Sequence, residues 1–128
     1  MKCEYADRLS VELCRANPNK LYVFGDNLAR WGTAGQACIR REPNSFGVPT
    51  KRYPDTVAHA YFSDAKCERN HVLNALRELY VKGEYFTLVF PSAGIGTGLA
   101  KMPEKSPLIY AEMCEILLKH FGVKNGLG

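Results

Sequence analysis

The feature that most constrains the fold is a glycine-rich segment placed directly after the most apolar strand pattern in the chain. Residues 85–90 read YFTLVF, a run typical of a buried β-strand, and residues 91–102 follow with the alternate glycines Gly94, Gly96 and Gly98. Alternate glycines permit positive φ and let main-chain N–H groups converge without Cβ obstruction, as phosphate oxygens require. The segment has neither the lysine of a Walker A loop nor the spacing of GxGxxG. It predicts either a phosphate-binding loop or a tight turn needed only for packing.

A second glycine-containing segment follows another short apolar run. Residues 21–24 (LYVF) predict a strand, and residues 26–35 (DNLARWGTAG) contain two glycines that interrupt any regular element. The carboxyl ends of parallel strands lie at one edge of a sheet, so we expect both glycine-containing segments at that edge. Two loops placed there can close on a diphosphate from opposite sides, with a helix N-terminus favouring the anion.

Helical and strand patterns alternate along the chain. Apolar residues recur at helical spacing in residues 64–82, with Asp64 as the expected N-cap, and again in residues 106–121, which begin with Ser-Pro. Further helices are predicted at residues 5–15 and 36–41, and further strands at residues 45–50 and 57–62. Strands separated by helices imply right-handed crossovers. The sequence therefore predicts one α/β domain over residues 1–128. Its expected fold is a three-layer α/β/α sandwich with a mixed central sheet in which most strands are parallel.

Composition limits the kinds of ligand and the cellular compartment that we expect for this chain. The chain has 128 residues and a net charge of +4, a mild bias toward anionic ligands that is weaker than in dedicated nucleic-acid-binding proteins. Its five cysteines are odd in number and form no CxxC, so we expect reduced thiols and no bound metal. No apolar run resembles a signal peptide or a membrane span. We expect a cytoplasmic protein that needs no cofactor and contacts no membrane.

Several motifs together resemble those of macrodomains, the modules that bind ADP-ribose. The motifs are DNL at residues 26–28, GTAG at 32–35, FGVPTKR at 46–52 and FPSAGIGTGL at 90–99. The resemblance covers about residues 21–121 and implies a small macrodomain-like fold that binds ADP-ribose or a related nucleotide. It also implies that the two glycine-containing segments wrap the diphosphate and the distal ribose. The ligand-binding residues implied are Asn27, Gly32, Thr33, Ala34, Gly35, Ser92, Gly94, Ile95, Gly96, Thr97, Gly98 and Leu99.

The PTKR stretch at residues 49–52 is similar to one branch of that family. The branch contains antitoxins that reverse DNA ADP-ribosylation and hydrolases that act on glutamyl-ADP-ribose, and its lysine takes part in releasing ADP-ribose. The resemblance nominates Lys51 as a catalytic residue and an ADP-ribosylated protein or nucleic acid as a partner, and Asp26 is the second catalytic candidate. Ala100 stands where those hydrolases can carry an acidic residue. The plain alternatives are a surface lysine at a strand end and an aspartate that caps nearby N–H groups.

Three functional interpretations remain open at this level. The chain is an ADP-ribosyl hydrolase of the glycohydrolase type, a non-catalytic module that binds ADP-ribose, or a weak nucleic-acid-binding protein. Trp31 either stacks on a base or ribose or anchors its loop against the core, and we expect the second. For Tyr53, Tyr61 and Phe62 the same two alternatives are stacking on the adenine of a ligand and packing within the protein. The chain also resembles small uncharacterised bacterial and phage proteins that share VFGxNL, AGQA, PTK and GTGLA in this order.

Overall fold

The computed structural model describes residues 1–126 as a four-stranded parallel sheet with helices on both faces. The strands are β1 (Cys3–Ala6), β2 (Lys20–Asn27), β3 (Ser45–Lys51) and β4 (Thr87–Pro91), in the spatial order β1-β4-β2-β3. The α-helices are α1 (Val11–Ala16), α2 (Lys66–Lys82), α3 (Met102–Lys105) and α4 (Pro107–Phe121). Two short 3-10 helices cover Gly35–Ile39 and Ala58–Ala60. The predicted α/β architecture is confirmed.

The order of the strands explains why helices lie on both faces. The chain moves from β1 to β2 and on to β3 in one direction across the sheet, and it then returns to β4, between β1 and β2. Right-handed crossovers that travel in opposite directions place their helices on opposite faces. The helix α1 and the first 3-10 helix accordingly pack on one face, and α2 and α4 pack on the other. The result is the predicted three-layer arrangement.

Strand β2 is buried on both faces because each side of the sheet is covered. Leu21 and Val23 contribute to the core beneath α2 and α4, whereas Tyr22 and Phe24 pack against α1 and the first 3-10 helix. A strand covered on both sides has a continuous apolar run rather than an alternating one. The strand predicted from this run is confirmed, and it continues into the polar residues that follow.

The predicted helix over residues 5–15 is wrong in its first half. Cys3–Ala6 forms β1, which pairs in parallel with β4 at the edge of the sheet. The helix α1 begins only at Val11, and the Ser10 hydroxyl accepts a hydrogen bond from Leu13 N–H at 3.1 Å. The helical spacing therefore applies only after the Ser10 cap. Before it, pairing with a central strand overrides the local helical preference.

Two other predicted elements take shorter forms. The helix predicted at residues 36–41 is the first 3-10 helix, and the strand predicted at residues 57–62 contains the second. The four strands pair only in parallel. An isolated antiparallel bridge joins Lys51 to Tyr61 just outside the sheet. This bridge brings the segment after β3 back against the end of that strand.

Asp64 caps a different helix from the one predicted. The helix α2 begins at Lys66, with Ala65 as its N-cap. The Asp64 carboxylate instead accepts hydrogen bonds from Leu108 N–H at 3.2 Å and Ile109 N–H at 2.9 Å, in the first turn of α4. Asp64 has φ +62°, a left-handed conformation that aspartate tolerates better than most residues. The side chain therefore ties the beginning of α4 to the chain before α2.

Glu68 organises the segment between β3 and α2 from a buried position. It is 1% exposed, and its Oε1 accepts hydrogen bonds from Ser63 N–H at 2.8 Å and Ala65 N–H at 2.9 Å. Its Oε2 lies 2.6 Å from Arg52 Nε. A buried carboxylate is tolerated only with partners of this kind. Glu68 therefore fastens the chain leaving β3 to the first turn of α2.

Three chain-wide expectations can be compared with the structure. The five cysteines are free thiols, as their spacing predicts, and burial raises the pKa of Cys14 to about 11, so this thiol stays protonated at neutral pH. In residues 1–126, no group of three His, Cys, Asp or Glu side chains is arranged to hold a metal ion. No helix in the same range is long and apolar enough to cross a membrane.

We expect Glu68→Ala to lower the free energy of unfolding by about 2 to 3 kcal/mol, because it leaves two main-chain N–H groups and a guanidinium without their acceptor. Glu78→Ala, on the exposed side of the same helix, is the matched control and should change it by less than about 0.5 kcal/mol. Urea unfolding followed by circular dichroism measures both variants. Equal effects of the two substitutions would contradict the structural role of Glu68.

Candidate functional site

A cleft of about 580 Å³ opens at the carboxyl edge of the sheet. Residues 28–34, which follow β2, form the first loop, and residues 92–101, which follow β4, form the second loop. Because β2 and β4 are neighbours in the sheet, these two loops begin side by side. Small-molecule sites typically have volumes of about 300 to 1,000 Å³. The cleft therefore has the size of a ligand site and lies at the edge that the sequence predicts.

The structure brings most of the predicted site residues to this cleft. Those that line it are Asp26, Asn27, Gly32, Ala34, Gly35, Lys51, Gly96, Gly98 and Leu99. Those that do not line it are Thr33, Ser92, Gly94, Ile95 and Thr97. Proximity to a cleft does not test binding, so the ligand-binding and catalytic roles stay predictions.

Residues that do not line the cleft hold the second loop from behind. Ile95 is fully buried, and its N–H and C=O both bond to the side chain of Asn125, at 2.8 and 3.0 Å. The Thr97 hydroxyl donates a hydrogen bond within the loop at 2.8 Å. The Ser92 hydroxyl donates to Asp7, beyond the end of β1, at 3.2 Å. These contacts shape the loop and leave its other side toward the cleft.

The three alternate glycines of the second loop have different roles. Gly96 has φ +80°, and a Cβ there would collide with Met102 Sδ. Gly94 has φ +87°, and a Cβ there would lie 2.8 Å from Gly126 N. Gly98 has no atom within 4 Å of the position that a Cβ would take. Packing therefore requires glycine at the first two positions, whereas Gly98 lies open at the cleft.

Four residues of the second loop that line the cleft have main-chain N–H groups without an acceptor in the described part of the chain. The N–H groups of Gly96, Gly98, Leu99 and Ala100 donate no hydrogen bond within residues 1–126, and these residues line the cleft. Gly96 and Ala100 are buried, and a buried donor without an acceptor costs about 1 to 3 kcal/mol. Converging main-chain donors form the concavities in which proteins bind anions. The loop therefore offers a set of unoccupied donors.

Gln36 joins the two sides of the cleft, and no sequence pattern singles it out. Its Oε1 accepts a hydrogen bond from Gly25 N–H at 2.9 Å, and its Nε2 donates to Gly94 O at 2.8 Å. A Cβ on Gly25 would lie 3.5 Å from Thr50 Oγ1 and 3.6 Å from Gly96 N. The absent side chain therefore leaves the cleft floor open where these polar groups converge. The AGQA motif contains this glutamine, but its spacing indicates only the start of a helix.

An ion pair between the buried Asp26 and the half-buried Arg40 holds the first loop in place. Asp26 Oδ1 lies 2.6 Å from Arg40 Nη1 and accepts a hydrogen bond from Asn27 N–H at 2.7 Å. Arg40 also donates to the carbonyl oxygens of Gly32, at 2.9 Å, and Trp31, at 3.2 Å. The capping alternative for Asp26 is confirmed. A catalytic role for this carboxylate would have to compete with the ion pair, and it stays a prediction.

Asn27 and Trp31 form the wall of the cleft next to the first loop. Asn27 is 6% exposed, its Nδ2 donates to Trp31 O at 2.9 Å, and its Oδ1 is buried without a partner in the described part of the chain. Such an acceptor is costly unless a ligand or a water molecule donates to it. Trp31 is 60% exposed, so the expectation that its indole packs against the core is wrong. Hydrogen bonds hold the Trp31 carbonyl in place, whereas the indole ring is exposed to solvent at the rim of the cleft.

Lys51 ends β3 and is buried in the cleft wall. It is 9% exposed, its Nζ donates to Asp55 O, and this nitrogen lies 4.7 Å from the centroid of the Tyr61 ring. Burial lowers the pKa of Lys51, the charge of Asp55 raises it, and the charge of Lys101 lowers it further. The plain alternative of a surface lysine is wrong. The catalytic role stays a prediction.

Eleven residues line the cleft that are not among the predicted site residues. The residues that line the cleft beyond the predicted set are Gly25, Trp31, Gln36, Ala37, Thr50, Pro54, Asp55, Thr56, Tyr61, Ala100 and Lys101. The sequence raises Trp31 and Tyr61 only as candidates for stacking on a ring of the ligand, and Thr50 only as the neighbour of Lys51 at a strand end. Residues 54–56 reach the cleft only through the tertiary fold, whereas Ala100 and Lys101 lie within the predicted glycine-rich segment at residues 91–102.

A family match covers most of the chain. Residues 4–116 match a family described as a family of unknown function, DUF7831. No curated protein and no solved structure matches the chain significantly.

We expect the buried Lys51 ammonium to make the stability of the fold depend on pH. Because its pKa is lowered in the folded state, the unfolded chain binds more protons at high pH. The stability contributed at this position should therefore rise as the pH increases from the folded pKa to the unfolded value of about 10.4. Lys51→Met retains an apolar chain beside Tyr61 but cannot ionise. The unfolding free energy of Lys51→Met minus that of wild type should fall over this pH range.

Urea unfolding of both proteins from about pH 7 to about pH 10 measures this difference. Lys2→Met, at an exposed position before β1, controls for the loss of one charge. A difference that stays constant with pH would show that Lys51 titrates as an unperturbed lysine.

Proposed function

The chain belongs to the DUF7831 family of unknown function, and we propose that its cleft binds a nucleotide diphosphate, best represented by ADP-ribose. The observation that carries the proposal is the set of main-chain N–H groups at residues 96 and 98–100. These donors are unpaired within the described chain and belong to residues that line a cleft of about 580 Å³. Main-chain donors on a loop that is already ordered bind phosphate oxygens at little entropic cost. The macrodomain-like loop sequences favour ADP-ribose among the nucleotide diphosphates.

The charges around the cleft support an anionic ligand. Lys51 and Lys101 line the cleft, and the carboxylate of Asp26 is paired with Arg40. Asp55, the other carboxylate at the cleft, accepts a hydrogen bond from the adjacent main-chain N–H of residue 56 at 2.6 Å. Two lysines and two aspartates therefore line the cleft, and each of the two carboxylates already has a donor. Hydrogen bonds from charged donors to phosphate are among the stronger ones in proteins.

Two features support a ligand with a sugar and a ring beside its phosphates. Asn27 Oδ1 has no donor in residues 1–126, and a ribose hydroxyl would supply one. The exposed indole of Trp31 stands at the rim of the same cleft, where a flat ring can stack on it. The main chain of Trp31 is held by Asn27 and Arg40, so the ring is offered from a fixed position.

Hydrolysis of ADP-ribose from a modified protein or nucleic acid is a second candidate function. Its support is the buried Lys51, which lines the cleft and belongs to the sequence stretch that resembles the hydrolytic branch. In this mechanism water attacks the anomeric carbon while the second loop holds the diphosphate. Two features favour binding without turnover. The Asp26 carboxylate is engaged by Arg40, and Ala100 supplies no acid.

We expect Gly98→Glu to weaken ADP-ribose binding by about 100-fold or more, because it places a like charge beside the proposed phosphate position. The fold should survive, since the space around this Cα is open. Tyr85→Glu is the matched control, because it adds the same charge at a residue that is 77% exposed and precedes β4, at the opposite edge of the sheet. Calorimetric titration with ADP-ribose measures binding, and thermal unfolding checks the fold.

The same titrations should show ADP-ribose binding at least about tenfold more tightly than AMP, because the second phosphate and the distal ribose add contacts. Equal affinity for the two ligands, or no heat with ADP-ribose, would refute the diphosphate site. A loss of binding in Tyr85→Glu as large as in Gly98→Glu would show that charge alone, and not position, explains the effect.

Lys51→Ala separates an enzyme from a binding module. If Lys51 is a catalyst, the variant should lose turnover by about 100-fold or more while its affinity for ADP-ribose stays within a few fold. The assay measures release of ADP-ribose from modified glutamate, serine, arginine and DNA substrates by wild type and variant. No release by wild type from any of these substrates would reject the hydrolase and leave the binding module. Unchanged release by the variant would reject Lys51 as the catalyst.

A further inference from the structure

A groove of about 440 Å³ lies at the surface between α2 and α4. Its lining comes from residues 73–81 of α2 and residues 116–121 of α4. Most of the lining side chains are apolar or aromatic, among them Leu73, Tyr80, Val81 and Ile116. The cleft described above shares no lining residue with this groove. We call it the α2/α4 groove.

The α2/α4 groove lies away from the cleft because of the direction in which its helices run. Arg69, in the first half of α2, pairs with Glu112, in the first half of α4, and Tyr80 packs against Phe121 where both helices end. The two helices therefore run in the same direction. The helix that joins the parallel strands β3 and β4 returns from the carboxyl edge of the sheet to the amino edge. The groove follows the second half of that helix, so it lies toward the edge opposite the cleft.

The apolar lining of the α2/α4 groove is exposed in a fixed arrangement. Tyr80 is 46% exposed and Val81 is 56% exposed. The Tyr80 ring makes edge-to-face contacts with His120 and Phe121, with ring centroids 6.4 and 5.7 Å apart. A single exposed apolar residue needs no explanation, but adjacent ones that line a groove mark a surface for binding another molecule.

The charged groups of the α2/α4 groove are of one sign. Arg77 and His120 line it, and no Asp or Glu does so in the described part of the chain. Arg77 donates to Asn74 Oδ1 at 3.2 Å, and in residues 1–126 no carboxylate lies within ion-pair distance of Arg77 or His120. The exposed Glu78 and Glu115 belong to the same two helices but do not line the groove. The groove therefore combines an apolar surface with an arginine that has no acidic partner.

This distribution of charge favours an acidic partner over a second copy of the chain. A two-fold contact uses the same surface of both copies, so it would bring the basic side chains of both grooves into one interface. Like charges that face each other across an interface weaken association. A carboxylate of a different protein would instead accept charge-assisted hydrogen bonds from the Arg77 guanidinium.

We propose that the α2/α4 groove binds an amphipathic helix of a partner protein, with apolar residues in the groove and acidic residues beside Arg77 and His120. A groove of this kind accepts the apolar face of a helix through residues at positions i, i+3, i+4 and i+7. Side chains of one helix pack between the rows of side chains on its neighbours, as α2 and α4 already do with each other. The inference does not rest on the proposed function, because the groove and the cleft have no residue in common.

Two synthetic helical peptides serve as probes. Both carry leucine at positions i, i+3, i+4 and i+7, and the flanking positions hold glutamate in the acidic peptide and lysine in the basic peptide. Each peptide is titrated into the full chain, and the methyl signals of Leu73, Val81 and Ile116 in NMR spectra report on the groove. We expect the acidic peptide to shift these signals and to bind at least about tenfold more tightly than the basic peptide.

A charge reversal tests the role of Arg77. Arg77→Glu should weaken binding of the acidic peptide at least about tenfold and strengthen binding of the basic peptide. The fold should persist, because Arg77 is exposed. Arg41→Glu is the matched control, since it makes the same change at an exposed residue next to the first 3-10 helix, which packs on the other face of the sheet. It should leave both affinities unchanged, and thermal unfolding checks the fold of each variant.

Three outcomes would overturn the proposal. The first is the absence of shifts at the groove with either peptide. The second is equal affinity for the two peptides, or an affinity that Arg77→Glu leaves unchanged, because the groove would then not select an acidic partner. The third is a dimer of the free protein in sedimentation equilibrium whose formation shifts the same methyl signals, because a second copy would then occupy the groove.

Discussion

The cleft depends on the ion pair between Asp26 and Arg40. Burying charge is costly unless the ion-pair geometry is close and further hydrogen bonds support it, and Asp26 Oδ1 also accepts a hydrogen bond from Asn27 N–H. The guanidinium pairs with Asp26 and bonds the carbonyls of two residues in the first loop, and it lies 5.6 Å from the ring centroid of Phe24. Room for the carboxylate comes from Gly47 on the neighbouring strand, where a Cβ would lie 2.5 Å from Asp26 Oδ2. The ion pair thus converts a polar, glycine-containing segment into a fixed wall.

The second wall is held by different means and meets the first through Gln36. The side chain of Asn125, far along the chain, bonds both polar main-chain groups of Ile95 and fixes the back of the second loop. Gln36 then links that loop to the end of β2 by one accepted and one donated hydrogen bond. These contacts leave the main-chain N–H groups at residues 96 and 98–100 without an acceptor in the described part of the chain. Those groups, and the lysines near Tyr61, are the basis for assigning an anionic ligand.

Much of the fold can be predicted because its strands and its two long helices are coded locally. The apolar runs before the two loops indicate buried parallel strands, and the structure confirms them. The N-terminal helix prediction fails where Cys3–Ala6 pairs with β4, since strand pairing depends on a partner that is distant in sequence. The N-cap prediction at Asp64 fails for a related reason. The Asp64 carboxylate instead accepts hydrogen bonds from main-chain N–H groups in the first turn of α4, 44 residues away.

The sequence by itself determined the α/β class, the two glycine-containing loops and the edge of the sheet at which they lie, because glycine spacing and apolar runs act over a few residues. It also placed Asn27, Lys51 and Gly98 near one another, since each follows or ends a strand. Only the tertiary structure decided which groups remain available there. It paired Asp26 with Arg40 and brought Lys101 to Tyr61, because ion pairs and cation–π contacts join segments whose approach is set by packing of the whole chain.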